Sequence, residues 1–520
     1  MMSPIESGRM RSGPRGISRV LLVVLLTAYS AAALTLWVDN AWRPGWDGGI
    51  YLLAARSIAE GQGYSYLGKP FFLRPPGLSW LLSHFVKDGE FNFPMINIFI
   101  RACAAATVWA VFLVLRKRCG AWRAFGIALL LGTCPLFVSI LNLVLSDFAF
   151  MMLLFPGLGL LDWAARGRRP NPAGMVAGGL LIAGSAYMRT AALVVVPGIA
   201  LVYLLKLRGR QRLLAILPVI VILASIAPWL AWSRRAKAEA ERPADQLMLF
   251  DYETAVLRVD TGDPDSQFVT PSMWWDRIKG NLRSLMENVS IGILGTANKW
   301  AGYGLAAVVI LGFLLCLSRG ISLLEWFALS YTAVLLSYFT LTGRLLIPLL
   351  PLIYAYILTL LEWLTGLSGQ LEPRSGRMRM IEVIVVACLL AANGRGLALG
   401  EQTALREIKA GPGVRSRRWD DYARAADWLR ANTPEHVAIL TGPAPMLSVL
   451  AKRRAYTYRF ESVSSILAKE RIDFAVFFWW NPEDVEQQIA SLAADEWELN
   501  STVPGRSIRI YKLGENVLRH

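Results

Sequence analysis

Between Trp42 and Leu82 the chain reads WRPGWDGGIYLLAARSIAEGQGYSYLGKPFFLRPPGLSWLL, which holds one early acid, Asp47, a set of aromatics and the basic residues Lys69 and Arg74, the latter opening an Arg-Pro-Pro element. A carboxylate can receive the proton of an attacking hydroxyl, and general-base catalysis of this kind contributes on the order of 10²–10⁴ in rate. An arginine presents a planar fork that holds two phosphate oxygens at once. Residue types of this kind, set directly after a membrane-length apolar run, describe a reaction site at a membrane surface. Asp147, Arg189 and Arg344 each stand at the end of an apolar run, where a charge is costly enough to count as a functional candidate by default. The plainer readings are helix capping for the two acids and snorkelling to lipid headgroups for the two arginines.

The elements that must position these residues are membrane helices. Of 520 residues, 55% are apolar and 18% charged, and the mean hydropathy of +0.42 lies well above that of a soluble domain. A helix rises about 1.5 Å per residue against a hydrocarbon core of ~30 Å, so roughly 20 apolar residues span it. Runs at 18–38, 94–115, 124–141, 145–164, 173–188, 190–206, 213–232, 302–318, 321–340, 344–366 and 380–398 predict about eleven transmembrane helices, the two flanking Arg189 being short and closely joined. The first run follows Arg9, Arg11, Arg15 and Arg19. It reads as an uncleaved anchor, because its apolar stretch exceeds a signal-peptide h-region.

Basic residues set the expected orientation. Arg116, Lys117, Arg118 and Arg123, then Arg166, Arg168 and Arg169, then Lys206, Arg208, Arg210 and Arg212, and finally Arg374, Arg377 and Arg379 fall in alternate short loops on the side of the N-terminus. Those loops and the N-terminus are therefore expected in the cytoplasm. The formal net charge of +16 is spread over them, with no basic stripe interleaved with aromatics, which argues against nucleic-acid binding. Cys103, Cys119, Cys134, Cys316 and Cys388 lie in or beside predicted helices without paired spacing, and His84, His436 and His520 are far apart, so neither set suggests a disulfide framework or a metal site.

Three segments are expected on the outer side, at 39–93, 233–301 and 399–520. In the first, Asp47 to Glu60 reads as a short helix lying on the membrane surface and ended by Gly61 and Gly63, and Leu78 to Val86 as a second short helix. Residues 1–398 then form the membrane catalytic domain and 399–520 a small α/β accessory domain. Within the latter, Arg418 to Ala431 and Pro482 to Ala494 read as helices, His436 to Thr441 and Ile472 to Phe478 as strands, and Ser507 to Lys512 as an edge strand. Thr441-Gly442-Pro443-Ala444-Pro445 lacks the glycine spacing of a phosphate loop.

Trp46-Asp47-Gly48-Gly49-Ile50-Tyr51, with Ala54, Arg56, the run Glu60-Gly61-Gln62-Gly63-Tyr64, Gly68-Lys69-Pro70 and Leu73-Arg74-Pro75-Pro76-Gly77, resembles the first outer loop of the GT-C glycosyltransferases, in the branch of protein O-mannosyltransferases and lipid A aminoarabinose transferases. The resemblance continues through Leu145-Ser146-Asp147-Phe148, Tyr187-Met188-Arg189 and Gly343-Arg344-Leu345-Leu346-Ile347-Pro348, and covers roughly the first 360 residues. It implies a multi-pass α-helical membrane protein of GT-C fold in the bacterial inner membrane, with the C-terminal domain in the periplasm. It further implies an inverting enzyme that takes a sugar from a polyprenyl phosphate and passes it to an acceptor hydroxyl on a glycan, lipid or protein. On that resemblance Asp47 is the catalytic base and Asp147 a second acid facing the same cavity. Arg74 contacts the lipid phosphate of the donor, with Arg189, Arg344 and Lys69 as further phosphate-binding candidates.

No cofactor is expected beyond the lipid-linked donor. A divalent metal is not expected, since Asp47 is followed by two glycines rather than a second acid, although Asp39, Glu60 and Asp147 leave the question open. Arg101, Asp162, Glu325 and Glu362 are further charges inside apolar runs; Asp162 and Glu362 can reach the cytoplasmic interface, and Arg101 calls for a partner in the bundle. Trp274-Trp275 and Trp479-Trp480 read as interfacial or sugar-stacking aromatics. A lipid or sugar transporter is the alternative, but it predicts helices broken near the bilayer midplane, whereas the polar chemistry here gathers at helix ends.

Overall fold

A computed structural model describes residues 15–35, 42–43, 45–165, 170–207, 209–239, 256–259, 266–294, 298–339, 341–367, 376–409, 414–458, 463–501 and 505–514. An apolar helix stands at each of the eleven expected positions, six of them long enough to cross a membrane by length and composition and five shorter. The run at 124–141 is not one helix. It breaks after α5 (Ala121–Thr133) into the short α6 (Pro135–Ser139), because Pro135 has no N–H to bond back and its ring crowds the preceding turn. Two other runs open with 3₁₀ turns, Thr190–Val195 before α9 (Val196–Lys206) and Gly343–Leu349 before the helix Leu350–Leu367.

The bundle is organised around α7 (Asp147–Ala164), which between Asp147 and Asp162 is apolar on every side and is buried over most of its length. It packs between α4 (Phe93–Cys119) and α8 (Pro172–Met188). Small residues permit this: a Cβ on Gly157 would lie 2.8 Å from Ile182 Cδ1, and one on Gly178 would lie 2.7 Å from Leu161 Cγ. α1 (Arg15–Thr35) and α10 (Ile216–Glu239) flank this core, and α1 presents Val20, Val24 and Leu25 outward as a lipid-facing helix would.

The first outer segment folds as α2 (Trp46–Ala59), a hairpin of β1 (Ser65–Tyr66) and β2 (Lys69–Pro70), α3 (Gly77–Ser83), and a second hairpin of β3 (Val86–Lys87) and β4 (Glu90–Phe91). Gly61 and Gly63, each at φ +76°, turn the chain away after α2. α2 is not a surface helix, as its sequence suggested. Ile50, Leu52, Ala54 and Ala55 are all fully buried, because the helix is covered on one side by the bundle and on the other by the C-terminal domain.

That domain carries a five-stranded sheet in the order β6-β5-β7-β9-β8, built from β5 (Ala438–Thr441), β6 (Arg454–Tyr456), β7 (Phe474–Phe478), β8 (Ala493–Asn500) and β9 (Ser507–Leu513). β5, β6 and β7 are parallel, while β9 runs antiparallel to both β7 and β8. The expected helix at 482–494 ends at Ala490, and β8 follows it. β9 is thus an inner strand rather than the predicted edge. Alternation sorts the two faces: Val476, Phe478, Ile508 and Ile510 pack on the helix Val414–Asn432, while Leu440, Ala475, Phe477 and Tyr511 share a core with Ile50, Tyr66, Phe71 and Phe72 of the first outer segment. The helix that contains the last apolar run continues over Gly376–Lys409, so residue 398 lies inside it.

Candidate active site

Asp47 sits in the first turn of α2, but Gly45 is the N-cap and no side chain caps the helix. The carboxylate instead forms two ion pairs, accepting from Arg74 Nη2 at 2.9 Å and from Arg344 Nη1 at 2.8 Å. Asp147 likewise opens α7 without capping it, since the N-cap Ser146 makes no side-chain cap and its hydroxyl meets Tyr51 Oη at 3.2 Å. Its side chain, only 1% exposed, pairs with Arg189, and its second oxygen lies 3.6 Å from Arg344 Nε. Arg74, Asp47, Arg344, Asp147 and Arg189 therefore form one continuous row of alternating charge. Five positions, the outermost 297 apart in sequence, meet in it.

Each member is held by its local structure. Tyr64 Oη donates to the carbonyls of Arg74 and Pro75 at 3.0 and 3.3 Å, which fixes the backbone of the Arg-Pro-Pro element, and the Arg74 guanidinium lies 5.6 Å from the centre of the Tyr51 ring. Arg189 is the extended residue between α8 and the following 3₁₀ turn, and Arg344 belongs to the 3₁₀ turn before Leu350. Tyr331 Oη donates to the carbonyl of Leu345 at 3.1 Å beside it. Burial alone would raise the Asp47 carboxyl, but Arg74 and then Arg344 outweigh it and hold the group well below the usual carboxylate range.

Asp47, Arg74, Arg189 and Arg344 line a cavity of about 500 Å³, whereas Asp147, expected to face it, is buried and is not part of the lining. The lining combines those four charged residues with the apolar Val194, Val334, Leu335 and Phe339. Val256 of the second outer segment closes part of the wall, its carbonyl held by Arg277 Nη1 at 2.7 Å and Trp274 Nε1 at 3.4 Å. Tyr51 and Ser146 belong to the motifs around Asp47 and Asp147, whereas Tyr331 and Phe339 lie in an apolar run that carries no signal of a site.

Lys69 is not brought to the cavity. It is 52% exposed and pairs with Glu470 of the C-terminal domain at 3.2 Å. The remaining intramembrane charges find other partners. Glu325 pairs with Arg118 and closes a capping box with Ser322, Glu362 pairs with Arg123 at 2.9 Å, Asp162 with Lys206 at 2.8 Å, and Arg101 donates to Asn142. Trp479 donates to Asp421 at 3.1 Å and Trp480 stacks on Phe478, while Trp275 is exposed. Among the described residues no group of three or more His, Cys, Asp or Glu is placed to hold a metal ion.

Residues 73–232 match the sequence profile of the family described as dolichyl-phosphate-mannose-protein mannosyltransferase. That stretch contains Arg74, Asp147 and Arg189. No curated protein sequence matches the chain. The fold is similar to that of ArnT from Cupriavidus metallidurans bound to undecaprenyl phosphate, with a TM-score of 0.59 at 15% identity over 94% of this chain and 97% of that one. It is also similar to the archaeal oligosaccharyltransferase AglB from Archaeoglobus fulgidus in complex with an inhibitory peptide and a dolichol-phosphate, with a TM-score of 0.54 at 12% identity over 88% of this chain and 69% of that one. The chain has the GT-C fold that these structures share, and the mannosyltransferase profile matches its residues 73–232.

Proposed function

We propose that the protein transfers a sugar from a polyprenyl phosphate to an acceptor hydroxyl on the periplasmic face of a bacterial inner membrane, by direct displacement with inversion. The observation that carries this reading is the row of three guanidiniums and two carboxylates beside a cavity whose lining is otherwise partly apolar. The row has one positive charge in excess, which the single negative charge of a phosphodiester donor matches, and the apolar part of the lining suits the first prenyl units. The acceptor oxygen attacks the anomeric carbon, the bond from that carbon to the phosphate oxygen breaks, and the lipid phosphate leaves with the electron pair. Asp47 takes the hydroxyl proton, while Arg74, Arg344 and Arg189 stabilise charge developing on the phosphate.

The same ion pairs order the steps. A carboxylate held by two arginines is a weak base, so Asp47 is poorly basic before the donor arrives. A bound phosphate draws on Arg74 and Arg344, relieves the carboxylate and raises its basicity when an acceptor is to be deprotonated. The two similar structures are bound to undecaprenyl phosphate and to a dolichol-phosphate, which supports a lipid phosphate as the occupant.

The test is reconstitution in proteoliposomes with a panel of undecaprenyl-phosphate-linked hexoses and pentoses, following release of undecaprenyl phosphate. A comparison of envelope glycans and glycolipids with and without the protein would identify the acceptor. Release of undecaprenyl phosphate and a matching mass gain on one envelope component are expected. No release from any donor, with no change in the envelope, would overturn the reading.

A further inference from the structure

The two glycines that follow Asp47 face different bodies. A Cβ on Gly48 would lie 3.1 Å from the carbonyl oxygen of Val144, three residues before Asp147, whereas one on Gly49 would lie 2.8 Å from the carbonyl carbon and oxygen of Pro445 and 2.9 Å from its Cβ. Pro445 lies in the first turn of the helix Ala444–Ala451 of the C-terminal domain. α2 is thus gripped just beyond its catalytic candidate, by the membrane bundle on one side and by the C-terminal domain on the other. Real Cβ atoms do not approach backbone as closely as 2.8 Å, so no other residue fits at 49 without displacing α2 or Pro445.

Further contacts join the same two bodies. Arg56 Nη2 reaches the Val449 carbonyl at 3.5 Å, Lys452 pairs with Glu90, Lys69 pairs with Glu470, and one face of the sheet packs on Ile50 and Ala54 of α2. Asp47 spends both carboxylate oxygens on Arg74 and Arg344, so its reach to an acceptor is set by where the axis of α2 lies.

We propose that Pro445 is a positioning residue for Asp47: by seating directly on Gly49, the C-terminal domain sets the height of α2 over the cavity and is part of the catalytic apparatus. This rests on the glycosyltransferase reading above, with Asp47 as base. A displacement of about 1 Å at a reacting group can cost on the order of 10² in rate, and an alanine methyl at 49, 2.8 Å from the Pro445 backbone, forces a shift of roughly half that or more. The geometry also separates catalysis from donor binding, because Arg189 and Arg344 stand on the bundle and do not ride on α2.

The experiment compares Gly49→Ala, Pro445→Gly and the double variant with wild type and with Gly304→Ala, a helix glycine with nothing within 4 Å of its would-be Cβ. The readouts are kcat and donor KM in proteoliposomes, using the undecaprenyl-phosphate-linked sugar that wild type turns over, and binding of undecaprenyl phosphate. Gly49→Ala is expected to lose about 30- to 100-fold in kcat while KM and undecaprenyl phosphate binding change less than about threefold. Gly304→Ala stays at the wild-type value. Adding Pro445→Gly, which removes the Cβ contact and loosens the first turn of that helix so that its backbone can give way, should restore at least about a tenth of the wild-type kcat.

A Gly49→Ala kcat within threefold of wild type, or a loss carried by KM, or a loss that Pro445→Gly does not relieve, would overturn the proposal. Should Gly49→Ala fail to fold, Pro445→Gly alone decides: a fall in kcat of about fivefold or more at constant KM supports the seat, and an unchanged kcat removes it. Wild type that turns over no donor defeats the underlying reading, whereas active wild type with an active Gly49→Ala defeats only this inference.

Discussion

Asp47 shows how strongly a residue's chemistry depends on its partners. Asp47→Asn keeps the size of the side chain but cannot accept a proton, so sugar transfer should fall by about 10² or more while insertion and donor binding persist. Asp47→Glu should recover little, because the extra methylene moves the carboxylate by about an ångström. Near-normal turnover of Asp47→Asn in proteoliposomes at matched protein levels would move the base elsewhere, with Asp147 the next candidate. Arg74 makes a graded prediction: Arg74→Ala should weaken donor binding more than Arg74→Lys, which keeps the charge but loses the fork. The same pair should differ in pH dependence. Arg74, with Arg344, holds the Asp47 carboxyl below its ordinary range, so removing that cation raises the carboxyl pKa, and the base is protonated at higher pH. The acid limb of the pH–rate profile should therefore move upward in Arg74→Ala and much less in Arg74→Lys. The sign for stability agrees: a folded-state pKa below the unfolded value of about 4 means that the ion pairs contribute fully above that pH and are lost as pH falls below it.

At the scale of elements, charges at the far end of the bundle tie helices together. Glu325 has a fully buried side chain, paired with Arg118 from α4 and accepting from the Ser322 N–H at 3.1 Å. Arg118→Met leaves that carboxylate without its cation and should destabilise the protein by roughly 3 kcal/mol, the low end for a broken buried pair because Ser322 still donates. Combining Arg118→Met with Glu325→Gln should recover most of the loss, as thermal unfolding in detergent would show. The pairing was not legible in sequence, since residues 207 positions apart carry no mutual signal. Helix positions were legible because apolar length is a local property, and the break at Pro135 was written in the run that contained it. β8 was missed for a different reason: Ala493–Asn500 is a charged strand with one hydrogen-bonded neighbour, β9, so it lacks the apolar alternation of a half-buried strand. Lys69 fell beside Arg74 in the motif, yet the hairpin turns it toward Glu470, a direction that spacing alone does not encode.

For the whole molecule, motif residues came with their order along the chain but without their meeting point; the row from Arg74 to Arg189 exists only because α2, α7, α8 and the turn before Leu350 converge. The distribution of basic loops predicts that cysteines introduced at 117 and 206 react with impermeant reagent only from the cytoplasmic side, and one at position 450 only from the periplasmic side. Labelling of intact spheroplasts and inverted vesicles decides this, and label at 450 from the cytoplasmic side would reverse the topology. The last prediction concerns the union of the two bodies. The bundle has its own core, which includes Phe148, Phe150, Phe155, Ile199 and Tyr203, all fully buried, but Ile50, Tyr66, Phe71 and Phe72 of the first outer segment are buried largely among residues of the C-terminal sheet. Each such side chain contributes about 1.5–3 kcal/mol when taken out of water, and a segment of short helices and two-residue strands has little else to hold it. A chain ended at Lys409 should therefore insert in the membrane and keep its helices, yet expose residues 46–91 to protease and lose sugar transfer. Protection of that segment in the truncated protein, with turnover within threefold of the full chain, would show that the outer segment folds on the bundle alone.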